Sequence, residues 1–257
     1  MLRAEKTSFR IGQKYLLSET TVEFVKGTFH VIMGANGAGK STFLKLLAGD
    51  QKPSSGNIFL NEKAIGSYTK KELAIQRSVL SQHYHISFPV TVFDIVLMGR
   101  YPYFVNNPSH EDVSICNEAL QLMDVSHLKD RDYTTLSGGE AQKVQMSRVL
   151  AQIWDIGNGV AKILFLDEPV SHLDIKYKHQ LLQVAKGLCA KNTTVIAVLH
   201  DINLTLSFAD RILFMKEGKI LFDIDAPAQV NADIIKKVFD ISSRVIHAEG
   251  QKPIVVF

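Results

Sequence analysis

The apolar run His30-Val31-Ile32-Met33 leads straight into Gly34-Ala35-Asn36-Gly37-Ala38-Gly39-Lys40-Ser41, and the chain then continues Thr42-Phe-Leu-Lys-Leu-Leu-Ala-Gly49. A buried strand, a glycine-rich turn and a helix opening are the context in which the pattern GxxxxGK[ST] cradles phosphate. Backbone N–H groups surround anionic oxygens only where side chains leave room, and the helix beneath adds its partial positive charge. Residues 34–42 are therefore expected to bind a nucleoside triphosphate. Lys40 reaches the β- and γ-phosphates, Ser41 ligates magnesium and Thr42 closes the α-phosphate side.

The rest of the chain sets this loop in an α/β fold. Ile58-Phe59-Leu60, Ile163 to Leu166 and Val195 to Leu199 are too short and too continuously apolar for amphipathic helices, and read as buried strands of a largely parallel sheet. Between them, residues from about 91 to 152 carry helical spacing, as in Val144, Met146, Val149, Leu150 and Ile153. Thr91 and Asp94 have the spacing of a capping box at a helix start. Asp155-Ile156-Gly157-Asn158-Gly159 reads as a surface loop before the Ile163 strand. No repeat or linker divides the 257 residues, so one domain with a helical insertion is expected.

Composition excludes several classes. Cys116 and Cys189 stand far apart, which supports neither a disulfide framework nor a cysteine zinc site and fits a reduced, cytosolic setting. The first ten residues are charged where a secretory signal is apolar, and no apolar run approaches a membrane span. Lys+Arg at 29 against Asp+Glu at 26, without a basic block, gives no reason to expect nucleic acid. No GxSxG elbow is present.

Two further motifs carry chemistry. Asp167-Glu168 closes the Ile163 to Leu166 run, at the strand end where ligands of open α/β sheets bind. Asp167 is expected to hold magnesium through water and Glu168 to face the attacking water, although an acid pair at a strand end is also a common surface feature. Leu136-Ser137-Gly138-Gly139-Glu140 is followed by a helix expected from about Glu140 to Ile153, and Ser137 and the glycines sit where bare helix-start N–H groups suit an anion as well as a simple turn.

Taken in order, Gly34 to Ser41, Gln82 after Val79-Leu80, Leu136 to Glu140, Asp167-Glu168, Ser171-His172-Leu173-Asp174 and His200 resemble the ATP-binding subunits of ABC transporters over nearly the whole chain. The resemblance implies an α/β phosphate-loop ATPase core with a mostly parallel sheet, an antiparallel β subdomain and a helical signature subdomain. It also implies ATP and magnesium as cofactors, and a homodimer in which Ser137, Gly138 and Gly139 meet the γ-phosphate held by the partner's loop. Asp174 would couple the two sites, Gln82 would sense magnesium and report to membrane subunits, and His200 would hold the γ-phosphate and help place the water. Read alone, His200 is equally a histidine capping a buried strand. Ile11 stands where the family stacks adenine on an aromatic residue, with Phe9, Tyr15 or aliphatic packing as substitutes. His172 stands where the family commonly has a small residue.

The segment Phe88 to Pro102 is similar to the one after the glutamine loop in importers of iron-siderophores, haem and cobalamin. Arg148 to Trp154, Val198 to Leu204 and Ala209-Asp210-Arg211 look most like the ATP-binding subunit of haem importers. This implies an ATPase on the cytoplasmic face of the bacterial inner membrane, working with two permease subunits and, through them, a haem-binding protein. His83 and His85 are read as solvated or interface histidines, with no metal assigned. Alternatives are a ferric-siderophore or cobalamin importer and, from another class, a soluble ATPase of iron-sulfur cluster assembly. A DNA-repair ATPase is disfavoured by the lack of a coiled-coil insertion, zinc-ligand cysteines and a basic stripe.

Overall fold

The computed structural model describes residues 1–82, 84, 86–154, 161–171, 173–247 and 252–257. The expected loop at Asp155 to Gly159 and the positions His83, His85 and His172 lie outside the described residues. The chain begins with β1 (Leu2–Ile11), β2 (Lys14–Phe24), β3 (Phe29–Gly34), α1 (Lys40–Ala48), β4 (Ser55–Leu60) and β5 (Lys63–Ala64). Next come α2 (Lys70–Gln76), β6 (Arg77–Leu80), α3 (Val92–Leu97), α4 (His110–Leu122), α5 (Gly138–Gln152), β7 (Lys162–Asp167) and α6 (Ile175–Cys189). The chain ends with β8 (Thr193–Val198), α7 (Ile202–Phe208), β9 (Arg211–Lys216), β10 (Lys219–Ile224), α8 (Ala232–Phe239), β11 (Arg244–Ile246) and β12 (Ile254–Val256).

Six strands form the central sheet in the order β10-β9-β3-β8-β7-β6, all neighbours parallel except the edge pair β9 and β10. Its strands are apolar on both faces because both faces are covered. Val31 and Met33 of β3, Leu164 and Leu166 of β7, and Val195 and Ala197 of β8 pack with the helices α3 to α6. Their alternates Ile32, Ile163, Phe165, Ile196 and Val198 pack against α1 and a second sheet. That second sheet is antiparallel, ordered β2-β1-β4-β5. It changes one expectation: Ile58-Phe59-Leu60 pairs with β1 there, not in the parallel sheet. Ile58 and Leu60 face the core while Phe59 lies half-buried under Arg3, the alternation of a one-sided sheet.

Helices α3, α4 and α5 all fall between β6 and β7, within the stretch that helical spacing marks out. The Thr91 hydroxyl accepts from the Asp94 N–H at 3.1 Å, as a cap should, but the Asp94 carboxylate takes the Thr91 hydroxyl at 2.6 Å and leaves the box half closed. A buried ion pair joins α4 to the turn that follows α3: Arg100 Nε donates to Asp112 at 2.8 Å, and its Nη1 donates to the Ala151 carbonyl of α5 at 2.9 Å. Arg148 reaches the Tyr84 hydroxyl at 2.8 Å, and Gln152 donates to the carbonyls of Ala74 and Arg77. These contacts fasten the helical layer to the edge of the central sheet.

Candidate ATP site and signature cleft

The loop between β3 and α1 is clamped by its neighbours. A Cβ at Gly34 would lie 2.1 Å from the Met215 carbonyl oxygen, and one at Gly39 would lie 2.3 Å from that of Leu16. Gly39 also holds φ at 97°, so glycine is required there by space and by backbone alike. Farther along, the Gly218 N–H donates to the Ala38 carbonyl at 3.0 Å. Strands β2 and β9 thereby fix the curve of the loop.

Lys40, 6% exposed, donates from Nζ to the carbonyls of Gly34 and Ala35, both at 2.9 Å. Burial holds its ammonium below the usual lysine range, opposed by the carboxylates of Glu168 and Asp167. At the end of β7, Asp167 is buried and accepts the Ser41 hydroxyl at 2.9 Å. Burial pushes its carboxyl up; the Ser41 bond works against the rise and the adjacent Glu168 adds to it. Glu168 accepts Gln82 Nε2 at 2.6 Å on one oxygen, and His200 Nε2 lies 2.5 Å from the other. Its backbone is left-handed, with φ 51°, and its N–H donates to the Val198 carbonyl at 3.2 Å.

Asn36, Gly37, Gly39, Lys40, Ser41, Thr42, Gln82, Glu168 and His200 thus line one cleft of about 590 Å³. The cleft also takes in Leu16, which sequence reasoning missed; its signal was the doublet Leu16-Leu17 in β2, where Leu17 is fully buried and Leu16 only partly. Ile11 is 64% exposed and Tyr15 52%, while Phe9 packs on the core beneath the antiparallel sheet, so Phe9 is spoken for. The Ser41 hydroxyl, the Gln82 amide and the buried Asp167 carboxylate form a hard-oxygen set that fits a magnesium ion. A nearby cation would offset the burial that raises the Asp167 carboxyl.

The signature residues stand elsewhere. Ser137 caps α5 in a complete capping box: its N–H and hydroxyl both donate to the Glu140 carboxylate at 2.8 Å, and Glu140 N–H returns to its hydroxyl at 3.4 Å. Asp174 caps α6 by accepting the Tyr177 N–H at 3.0 Å. Ser137, Gly139 and Asp174 line a second cleft, of about 410 Å³, together with Lys143, whose ammonium lies 3.2 Å from the centre of the Tyr177 ring. Gly138 sits in the first turn of α5 beside it. The two clefts share no lining residue.

Comparison with known proteins follows the same outline. The family model described as ABC transporter matches residues 17–171. A hemin import ATP-binding protein, HmuV, of Gloeobacter violaceus is 41% identical over 221 residues, 86% of this chain and 80% of its own length. The HmuV of Rhodopseudomonas palustris strain BisB18 is 41% identical over 258 residues, 99% of this chain and 94% of its own. Among solved structures, the dimeric post-hydrolysis state of the ATP-binding cassette MJ0796 with ADP and Pi superposes with TM-score 0.76 at 24% identity, covering 88% of this chain and 98% of that one.

Proposed function

The chain belongs to the ABC transporter family, and from that premise we propose that it is the ATP-hydrolysing subunit of a membrane importer whose cargo is haem. One observation carries the ATPase reading: Lys40, the Ser41–Asp167 pair and the Gln82–Glu168–His200 cluster converge on a single cleft. The haem reading is supported by the hemin import relatives, which are 41% identical and one of which spans 99% of this chain. We read residues 1–257 as one ATP-binding domain with a helical subdomain at about 91–152.

In this reading the N–H groups of Gly34 to Thr42 and the Lys40 ammonium hold the phosphates, which they bind as anions at a helix N-terminus. Ser41, Asp167 and, through its amide oxygen, Gln82 would hold magnesium, partly through water, and the bound ion would neutralise charge on the phosphates. Glu168 takes the proton of the attacking water as its oxygen bonds to the γ-phosphorus and the bridging bond to ADP breaks. His200, beside the same carboxylate, orients the water and the γ-phosphate. That the two clefts share no lining residue supports a trans arrangement, in which Ser137, Gly138 and Gly139 serve the loop of a second copy. Two copies therefore form two complete sites, with Asp174 at the interface between them.

Phe88, Tyr101 and Val105 expose 57%, 56% and 86% of their surface on the stretch between Gln82 and α4. Such apolar exposure suits a permease contact, and Gln82 links it to the ATP cleft. Among the described residues no helix is long and apolar enough to cross a membrane. We place the chain on the cytoplasmic face of the bacterial inner membrane, peripheral to two permease subunits and served through them by a haem-binding protein. The test is ATPase activity of the chain reconstituted with its neighbouring permease and binding protein, with haem, a ferric siderophore or cobalamin supplied in turn. Stimulation by haem alone is expected; stimulation by another cargo reassigns the importer, and a lack of ATPase activity refutes the reading.

A further inference from the structure

Gln142 lies in the second turn of α5, buried at 9% exposure, and its Nε2 donates to the Pro169 carbonyl at 2.9 Å. Pro169 follows Glu168, whose left-handed backbone at φ 51° is a conformation that residues with a side chain rarely adopt. Such a backbone persists only where its surroundings fix it. Before the strained residue, the Glu168 N–H is held by the Val198 carbonyl of β8 at 3.2 Å. After it, the Ser171 N–H and hydroxyl meet the Glu168 carbonyl at 3.4 and 3.2 Å, within the turn itself. The Gln142 bond ties this dipeptide to the helical layer.

We propose that Gln142 is a positioning residue for hydrolysis. By holding the Pro169 carbonyl it fixes the Pro169–Val170 peptide, one residue beyond the base, and so limits the rotation of Pro169 that would redirect the Glu168 carboxylate. The proposal rests on the reading of Glu168 as the base. It has a consequence for the pair of sites. Helix α5 is capped by Ser137, which serves the partner's nucleotide, and in its second turn Gln142 holds the residue next to the base of its own chain. One helix thus carries both the cap that meets the partner's nucleotide and the donor that steadies its own chain's base.

The experiment is a double-mutant cycle on the full chain, reading phosphate release and equilibrium ATP binding. Gln142→Met keeps the length of the side chain and removes the donor. Its kcat should fall about 10-fold or more, the scale of a misdirected catalytic group, while ATP affinity stays within about twofold. In the Glu168→Gln background the same change should cost less than about twofold, because a residue acting through the base has nothing left to position. A general packing defect would instead lower both backgrounds equally. Wild-type kcat for Gln142→Met, or equal losses in the two backgrounds, overturns the proposal while leaving Glu168 as the base. Wild-type hydrolysis by Glu168→Gln overturns both. If Gln142→Met does not fold, Gln142→Asn, one methylene too short to reach Pro169, is read by the same criteria.

Discussion

Replacing Glu168 by Gln separates binding from chemistry at two atoms. The carboxylate accepts Gln82 at 2.6 Å and lies 2.5 Å from His200 Nε2. A glutamine keeps one acceptor, so its oxygen can stay on Gln82 while its NH2 turns to His200, which presents a lone pair in its other tautomer. The cluster therefore survives and only the base is lost. A positioned base is worth about 100-fold or more, or roughly 2.7 kcal/mol of barrier. Weakening two charge-assisted bonds brings the expected loss to between about 100-fold and 1,000-fold. Lys40, Ser41 and the loop N–H groups are untouched, so ATP affinity should hold. Single-turnover phosphate release measures the rate, and size exclusion with and without ATP tests for a closed dimer that persists only with ATP. Asp167→Asn, by contrast, should lose magnesium-dependent affinity as well as rate. Hydrolysis at the wild-type rate by Glu168→Gln would refute the assignment and turn attention to His200.

The other predictions concern the loop, the signature and the core. Lys40→Ala should weaken ATP binding about 10-fold or more, as expected for charged hydrogen bonds, whereas Ser137→Arg should bind ATP normally yet fail to hydrolyse it. Mixing the two chains should restore one working site per dimer, seen as recovered ATPase activity; loss of ATP binding by folded Ser137→Arg would contradict the trans role. His30 is buried, hydrogen-bonded through Nε2 to Thr28 and the Val25 carbonyl, and desolvation depresses its pKa to about 4. The folded pKa lies below the unfolded value of 6.5, so the stability it confers is complete above that value and is lost as pH falls toward 4. The loss is about 3 kcal/mol, and chemical denaturation at pH 7 and pH 4 should show a flatter profile for His30→Gln.

The phosphate loop was legible because its requirements are local: a strand, close-packed glycines, a lysine and a helix follow within a dozen residues. Thr91 and Ser137 were legible for the same reason, since caps act over three or four positions. The assignment of Ile58 to Leu60 depended on pairing with β1, more than fifty residues away, and a three-residue apolar run carries no record of its partner. Leu16 entered the cleft because β2 passes close to Gly39, and the Leu16-Leu17 doublet marks a strand without saying what that strand passes over. Gln142 belongs to no motif the sequence displays, and only the fold sets it against Pro169. Likewise, the left-handed backbone at Glu168 results from the turn between β7 and α6 and not from any preference of glutamate.

That backbone at Glu168 also sets a trap for anyone seeking a sturdier version of the protein. A non-glycine residue held there costs about 1–3 kcal/mol, while asparagine enters this region more readily. Where that relief exceeds the bonds to Gln82 and His200 that the shorter side chain gives up, Glu168→Asn should raise the melting temperature, at about 2–4 °C per kcal/mol for a chain of this size, while abolishing turnover. A library sorted for heat resistance alone would then enrich dead enzymes at this position. Selection for the sturdiest chain and selection for uptake pull this one residue in opposite directions, and the glutamate records which of them prevailed.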